Sequence, residues 1–237
     1  MSLKAVFFDL DGTLLPMDQD VFVQSYFSRL VKKMAPYGFD PQILIKGIWT
    51  GTEAMVRNDG TCTNEERFWK VFPTVCGEAV SGHVGTLEEF YGNEFQQVQA
   101  DCGFSPKAAE TVKLVKELGL IPVLATNPIF PSIATESRIR WAGLNKEDFA
   151  HVTVYENSRY SKPNLKYYEE ILNRLNLSPE EVLMVGNDVG DDMVVEALGM
   201  KTFLLTDDLI NKANEPLDRW PHGSFDELMA YIKELTK

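Results

Sequence analysis

Cysteine is scarce in this 237-residue chain, and its three residues lie far apart. Cys62, Cys76 and Cys102 include no C-x-x-C pair, so the sequence predicts neither a disulfide framework nor a zinc site. A Gly-rich nucleotide loop, a G-x-S-x-G segment and an H-E-x-x-H segment are also missing. These absences argue against a P-loop kinase, a serine hydrolase and a zinc peptidase.

Basic residues are few relative to acidic ones, with 23 Lys and Arg against 35 Asp and Glu and a net charge of -12. This charge repels a phosphate backbone, so nucleic acid is not expected as a partner. No apolar run approaches the roughly 20 residues of a membrane span. Asp9 and Asp11 come too early for a secretory signal. We expect a cytoplasmic protein with no membrane partner, present as a monomer or weak homodimer.

A short apolar run, Ala5 to Phe8, ends abruptly at Asp9, as is typical of a strand buried on both faces of a parallel sheet. After residue 105, strand-like and helix-like segments alternate, which predicts a parallel sheet with helices on both faces. Further strands are predicted at 121–125, 151–155, 182–185 and 202–205, and helices at 106–118, 131–142, 164–175, 190–198 and from 224. Ser105 is the predicted cap of the first of these helices.

The region between the first strand and residue 105 has a different pattern. Phe22, Tyr26 and Leu30 repeat at helical spacing, and breaks near 36–38, 58–60 and 81–82 divide the region into about four helices. The predicted fold class is therefore α/β, with a Rossmann-like parallel-sheet core at 1–14 and 105–237. An all-helical domain at 15–104, here called the cap, is inserted after the first strand.

Polar residues follow each predicted core strand. In an open parallel sheet, ligands bind beyond the carboxyl ends of the strands, so these residues are candidates for one site. They are Asp9, Asp11, Gly12 and Thr13 after the first strand, Thr126 and Asn127 after the second, Lys162 after the third, and Asn187, Asp188, Asp191 and Asp192 after the fourth.

These segments, D-L-D-G-T at 9–13, A-T-N at 125–127, S-K-P at 161–163 and G-N-D-V-G-D-D at 186–192, resemble the four ordered motifs of the haloacid dehalogenase superfamily. D-x-D-G-T after an apolar strand is specific, whereas T-N and K-P alone are weak. The resemblance covers the whole core, and the position of the insertion resembles the subclass with a helical cap of type C1. It implies a phosphatase that acts on a small phosphorylated metabolite.

The chemistry of the residues agrees with this resemblance. Asp9 is the candidate nucleophile, since a carboxylate can attack phosphorus and form an aspartyl phosphate. Asp11 is the candidate general acid and base. Gly12 would allow close backbone approach to the phosphoryl oxygens, and Lys162 would neutralise them. Thr126 and Asn127 would hydrogen-bond the transferring group.

The acidic site requires an oxygen-seeking cation beside the phosphate, and Mg2+ fits this requirement. Asp9 and Asp11 would contribute to the metal site. Many relatives carry Gly-Asp where this chain has G-N-D at 186–188, so four residues compete for the remaining roles: Asn187, Asp188, Asp191 and Asp192. We rank Asp188 first and Asp192 second, and interpret Asp191 as a charge at a helix N-terminus.

Inside the cap, Arg57 is a candidate substrate-binding residue. Trp49 and Trp69 would line a pocket or, as aromatic residues at helical spacing more commonly do, pack in the core. Two rival functions stay open from the sequence: a sugar phosphomutase similar to β-phosphoglucomutase, and a binding protein that kept the fold without turnover.

Overall fold

The core of the protein is one sheet of six parallel strands, in the order β3-β2-β1-β4-β5-β6. The computed structural model describes residues 2–237; Met1, where the predicted core begins, lies outside the described residues. This architecture confirms the predicted α/β class. The strands are β1 (Ala5–Phe8), β2 (Ile121–Leu124), β3 (His151–Val152), β4 (Val182–Gly186), β5 (Lys201–Leu205) and β6 (His222–Gly223).

Eight α-helices accompany the strands in the described part of the chain, and the first four lie between β1 and α5. No helix of residues 2–237 combines the length and apolar character needed to cross a bilayer. The helices are α1 (Gln19–Met34), α2 (Pro41–Val56), α3 (Asn64–Cys76), α4 (Val84–Gly92), α5 (Pro106–Glu117), α6 (Ser132–Trp141), α7 (Leu165–Leu175) and α8 (Phe225–Leu235). Short 3-10 helices occur at Ala35–Tyr37, Glu78–His83, Glu94–Asp101, Lys146–Asp148, Pro179–Glu181, Met193–Leu198 and Leu217–Arg219.

Strand β1 is buried on both faces because it lies in the middle of the sheet, between β2 and β4. Val6 and Phe8 pack into the larger apolar cluster, together with residues of α5, α8 and the cap. Ala5 and Phe7 point the other way and pack against α7. The alternation of side chains along a strand thus places helices on both sides of the sheet.

The two connections between core and cap run side by side. Met17 and Cys102 form an antiparallel bridge, and the Gly103 N–H donates to the Pro16 carbonyl at 2.7 Å. A side chain at Gly103 would press on Pro16, so the close approach of the two segments requires glycine there. The predicted division at 14/15 and 104/105 falls within two residues of this paired segment and stays a prediction.

Strand β3 ends at Val152 and is shorter than predicted, and the Asn157 side chain bonds backbone groups on its open edge. The Asn157 Oδ1 accepts from the Val154 N–H at 3.0 Å, and its Nδ2 donates to the Val152 carbonyl at 2.9 Å. These bonds satisfy backbone groups that a neighbouring strand would otherwise pair.

Three other local predictions differ from the structure. The segment predicted as a helix at 190–198 is a 3-10 helix at Met193–Leu198, preceded by turns that the Asp188 side chain stabilises. Ser105 occupies the cap position of α5, but its side chain accepts no hydrogen bond from the helix. The two-residue strand β6 was not predicted, because His222–Gly223 has too little apolar alternation to indicate a strand.

Candidate active site

Lys162 and Asp9 form the centre of the candidate site. Asp9 directly follows β1, and its N–H donates to the Val185 carbonyl at 2.9 Å, so the sheet fixes its position. The Lys162 Nζ donates to Asp9 Oδ1 at 2.7 Å and to Asp192 Oδ1 at 2.6 Å. Asp9 is 7% exposed and Lys162 only 2%. Three chain segments are thereby joined by one buried ammonium group.

The charge of Lys162 is stabilised by these partners. Burial by itself lowers the pKa of a lysine, but the carboxylates of Asp192 and Asp9 together hold the pKa of Lys162 well above its usual value. Lys162 is therefore a fixed positive charge beside the Asp9 carboxylate. A charge of this kind stabilises a transferring phosphoryl group.

Asp192 and Asp188 have different surroundings. Both oxygens of Asp192 have partners: Oδ1 accepts from Lys162, and Oδ2 accepts from the Asp188 N–H at 3.1 Å. Burial raises the pKa of Asp192, although Lys162 opposes this effect. The Asp188 Oδ1 accepts from Gly190 and Asp191 N–H groups, and among the described residues its Oδ2 has no hydrogen-bond donor. The geometry favours Asp188 over Asp192 as the residue with a carboxylate oxygen free for a cation.

Asp11 forms a buried ion pair with Arg138, which sequence reasoning did not single out. The Arg138 side chain is 1% exposed and donates through Nη1 to Asp11 Oδ2. Asp11 Oδ1 is buried and has no hydrogen-bond partner among the described residues. Burial raises the pKa of Asp11, and this effect exceeds the opposing effect of Arg138. Asp11 consequently retains a proton to higher pH than an ordinary aspartate does.

Gly12 and Thr13 turn the chain after Asp11. Gly12 has φ +81°, and a methyl group at its Cα would overlap the Asn187 side chain. The Thr13 hydroxyl donates to Asn187 Oδ1 at 3.1 Å, and Asn187 Nδ2 donates to the Asp208 carbonyl at 2.6 Å. Asn187 therefore connects the turn after β1 with the loop after β4. Each polar atom of its side chain has a hydrogen-bond partner in this connection.

Thr126 and Asn127 follow β2 at the same rim. The Thr126 carbonyl accepts from the Thr153 hydroxyl at 2.6 Å and from the Tyr167 hydroxyl at 2.9 Å, which fixes the backbone there. The Thr126 hydroxyl has no hydrogen-bond partner among the described residues and is available to a ligand. The Asn127 Oδ1 accepts from the Lys162 N–H at 3.3 Å.

Arg57 does not join this group of residues. Its side chain is 78% exposed and pairs with Glu53 at 2.7 Å on the surface of the cap. Its backbone N–H ends α2 by donating to Glu53 and Met55 carbonyls. Arg57 is therefore a surface residue at the end of α2.

The cap contacts the core beside Lys162. Asn64, fully buried at the start of α3, donates to Ser161 Oγ at 3.1 Å and to the Pro128 carbonyl at 3.1 Å. Asn58 donates in turn to Asn64 Oδ1 at 2.9 Å. Next to this junction, cap helices and core loops enclose a cavity of about 380 Å³ whose wall includes Trp49 and Trp69.

Arg138 and Asn64 could have been suspected from weak signals only. Arg138 has small residues one turn away on each side, Ala134 and Ala142, and this spacing places it on the buried face of α6. Asn64 directly follows Thr63, which begins a T-x-x-E capping box, and gives no hint of burial. The burial of Arg138 and Asn64 is explained by their hydrogen-bond partners, which lie far away in the sequence. Neighbouring residues therefore give little sign of it.

Comparison with known proteins identifies the family. The model of the haloacid dehalogenase-like hydrolase family matches residues 3–199. The chain belongs to this family. The match confirms the predicted superfamily and the prediction of a hydrolase. It covers the four motif segments and the cap.

Relatives of this hydrolase are distant in sequence. A glyceraldehyde 3-phosphate phosphatase of Methanothermobacter thermautotrophicus is 23% identical over 234 residues, 92% of each chain. A protein described as a predicted phosphoglycolate phosphatase from Haemophilus somnus has a TM-score of 0.59 at 16% identity, covering 98% of both chains. A Bacillus subtilis HAD-hydrolase solved with bound magnesium has a TM-score of 0.56 at 17% identity, covering 98% of this chain and 99% of that one. These structures share the fold with the hydrolase described here.

Proposed function

We propose that this hydrolase is a Mg2+-dependent phosphatase of small phosphorylated metabolites that forms an aspartyl phosphate at Asp9. One observation carries the proposal: the Lys162 ammonium lies 2.7 Å from Asp9 Oδ1 and 2.6 Å from Asp192 Oδ1. The other oxygen of Asp9 accepts no hydrogen bond from the described residues. A carboxylate with one oxygen held by a cation and the other free is suited to attack phosphorus.

The first step transfers the phosphoryl group from the substrate to Asp9. The free oxygen of Asp9 forms a bond to phosphorus while the bond between phosphorus and the ester oxygen breaks. Asp11 gives its proton to the departing oxygen, which leaves as an alcohol. Burial raises the pKa of Asp11 relative to an ordinary aspartate, and the Arg138 guanidinium opposes this effect.

The second step releases phosphate. Water attacks phosphorus and gives a proton to Asp11, the bond between phosphorus and the Asp9 oxygen breaks, and both side chains return to their starting states. Lys162 remains charged in both steps, and Thr126 and Asn127 are within the same rim to hydrogen-bond the phosphoryl oxygens.

The residues of the site fit a divalent cation. Asp11 Oδ1 is buried without a hydrogen-bond partner, and carboxylates outnumber cationic side chains around Lys162. Asp9 and Asp188 would hold the ion, with Asp11 contributing beside them. Residues 2–237 contain no group of three His, Cys, Asp or Glu side chains arranged as a complete metal site. Mg2+ keeps several waters and binds through one or two carboxylates plus substrate phosphate, so Asp9 and Asp188 would suffice as its protein ligands. When bound, Mg2+ would reduce repulsion between the phosphate and Asp9.

The test is phosphate release from p-nitrophenyl phosphate and a panel of phosphometabolites, with Mg2+ and with EDTA. Asp9→Asn should abolish turnover, and acid-quenched wild type should carry covalent phosphate that the variant lacks. Asp40→Asn is the matched control: Asp40 caps α2 at the surface of the cap, and asparagine caps a helix equally well.

Three results would contradict the proposal in different ways. Substantial activity of Asp9→Asn would overturn the covalent mechanism, and full activity in EDTA would overturn the metal requirement. Return of the phosphate to the organic product, without free phosphate, would indicate a mutase instead.

A further inference from the structure

The cavity between cap and core has an unusual wall for a site that handles phosphate esters. Aromatic side chains from α1, α2 and α3 meet aromatic residues of the core loops there, and Trp49 and Trp69 lie on the cap side with Phe130 and Tyr155 on the core side. Trp49 is 51% exposed and lies where the cavity meets solvent. Such a wall offers mainly apolar and aromatic surface, with polar groups from tyrosine hydroxyls and glutamate carboxylates.

The charged side chains in the described wall of the cavity are all acidic. Glu65, Glu88 and Glu156 line it, and among the described residues no lysine, arginine or histidine does. The Glu156 carboxylate is engaged, since it accepts from the Ser132 N–H at 2.8 Å and 3.1 Å at the start of α6. Glu65 and Glu88 have no cationic partner in the described structure. Burial raises the pKa of Glu65, and the carboxylates of Glu156, Glu66 and Glu88 raise it further, so a cation in the cavity would relieve a repulsion already present.

The cavity lies near the proposed general acid Asp11, with the Arg138 side chain between them. Arg138 separates the two: its guanidinium pairs with Asp11 and lies 4.5 Å from the ring centroid of Phe130, which lines the cavity. A general acid is adjacent to the departing oxygen, so the organic group attached to that oxygen extends past Asp11. The cavity lined by Phe130 is the space that this group would occupy.

We propose that the cavity binds the organic part of the substrate and that this part is an aromatic or aliphatic group bearing an ammonium. The aromatic faces bind the apolar part and the cation, and Glu65 and Glu88 supply the opposite charge. Carboxylate-bearing leaving groups are disfavoured because the described wall provides no cation for them. This inference rests on the phosphatase function proposed above.

The test uses three aryl phosphates that differ mainly in the charge of a remote tail. They are 4-(2-aminoethyl)phenyl phosphate, 4-ethylphenyl phosphate and 4-(2-carboxyethyl)phenyl phosphate, whose phenols are of similar reactivity. We expect kcat/KM to fall in that order, with at least about a tenfold difference between ammonium and carboxylate, which corresponds to about 1.4 kcal/mol.

Matched glutamate variants identify the source of this preference. Glu65→Gln with Glu88→Gln removes both free charges of the cavity and should reduce the ammonium preference to less than about threefold. Glu66→Gln with Glu89→Gln changes the adjacent residues, which do not line the cavity, and should keep the preference. Glu66→Gln also retains the capping box of α3, which accepts glutamine at that position.

Binding without turnover separates this inference from the phosphatase function. Trp49 and Trp69 line the cavity, so phenethylamine should quench tryptophan fluorescence saturably and 3-phenylpropionate should not. Hydrolysis of all three esters without an ammonium preference would overturn the ligand class and leave the phosphatase standing. Selective binding of phenethylamine without hydrolysis of any ester would support the ligand class and overturn the phosphatase.

Discussion

Arg138 holds the Asp11 carboxylate through a buried ion pair. The guanidinium also donates to Thr135 Oγ1 at 3.2 Å and packs over the Phe130 ring. A guanidinium with several partners has little rotational freedom, so the Asp11 side chain is fixed relative to α6. The proposed acid and base is thus positioned by a helix of the core, and the cap is not needed for its orientation.

Arg138→Met should destabilise the protein and reduce turnover. Removal of one partner of a fully buried ion pair typically costs about 3 to 5 kcal/mol, and the loss should be smaller here because the Asp11 side chain is 24% exposed. The free energy of unfolding from urea titration measures this loss. A fall in kcat with a nearly unchanged KM would indicate that Arg138 orients Asp11 and does not bind substrate.

A double-mutant cycle gives the matching control. Asp11→Asn removes the carboxylate, so adding Arg138→Met to it should cost clearly less than Arg138→Met does in the wild type. Equal losses in both backgrounds would mean that the two residues do not interact energetically, and the ion pair would then contribute nothing to stability.

Gly12→Ala should lower both stability and activity. Gly12 and Gly38 have nearly the same backbone conformation, with φ +81° and +82°, but a side chain at Gly38 meets no atom within 4 Å. Gly38→Ala therefore measures the backbone strain alone, about 1 kcal/mol. Gly12→Ala adds the overlap with Asn187 and should cost about 1 to 3 kcal/mol more, as overpacking does. Equal unfolding free energies for the two variants, measured in urea, would argue against a tight contact between Gly12 and Asn187.

Much of the candidate site follows from the order of strands along the sequence. Asp9 and Asp188 come just after parallel strands and Lys162 lies in the loop after β3, and parallel strands bring such residues to one rim. Their convergence on a shared set of hydrogen bonds could be expected from the chain alone. The α/β class and the superfamily were predicted on the same basis.

The partners of these residues depend on features that sequence periodicity does not encode. Asn187 accepts a hydrogen bond from Thr13, which lies 174 residues away in the sequence. Asp192, which was considered as a metal ligand, accepts a hydrogen bond from Lys162. Arg138 reaches Asp11 only because α6 is rotated to place that position inward. Such contacts are set by the packing angle of helices and the path of loops, which vary among proteins of one fold.

Asn64→Ala should loosen the junction between cap and core. Its side chain connects Asn58 of the cap with Ser161 and Pro128 of the core, so the truncation leaves several buried groups unpaired. Each unpaired group costs about 1 to 3 kcal/mol. Hydrogen exchange should increase at residues 58–64 and 158–162, and KM should rise. Asn93→Ala, which removes an exposed bond to the Glu89 carbonyl, should change neither.

His151 should make stability dependent on pH between about 6.5 and 4. Burial, with the nearby Arg174, lowers the pKa of His151 from 6.5 to about 4. The unfolded chain then binds a proton in that window while the folded chain does not, so stability falls as pH decreases from 6.5 toward 4. Above pH 6.5 the imidazole is neutral in both states and contributes no pH dependence.

His151→Gln isolates this effect, because all other titrating groups remain the same in both proteins. Between pH 7.5 and 4, the free energy of unfolding of the wild type should fall by about 1 to 2 kcal/mol relative to that of the variant. This is less than the whole lowering of the His151 pKa implies, because the ring is partly exposed to solvent. Chemical denaturation at intervals of half a pH unit measures the difference. Parallel curves for the two proteins would show that His151 is protonated as readily in the folded chain as in the unfolded one, and that its side chain is not desolvated at the start of β3.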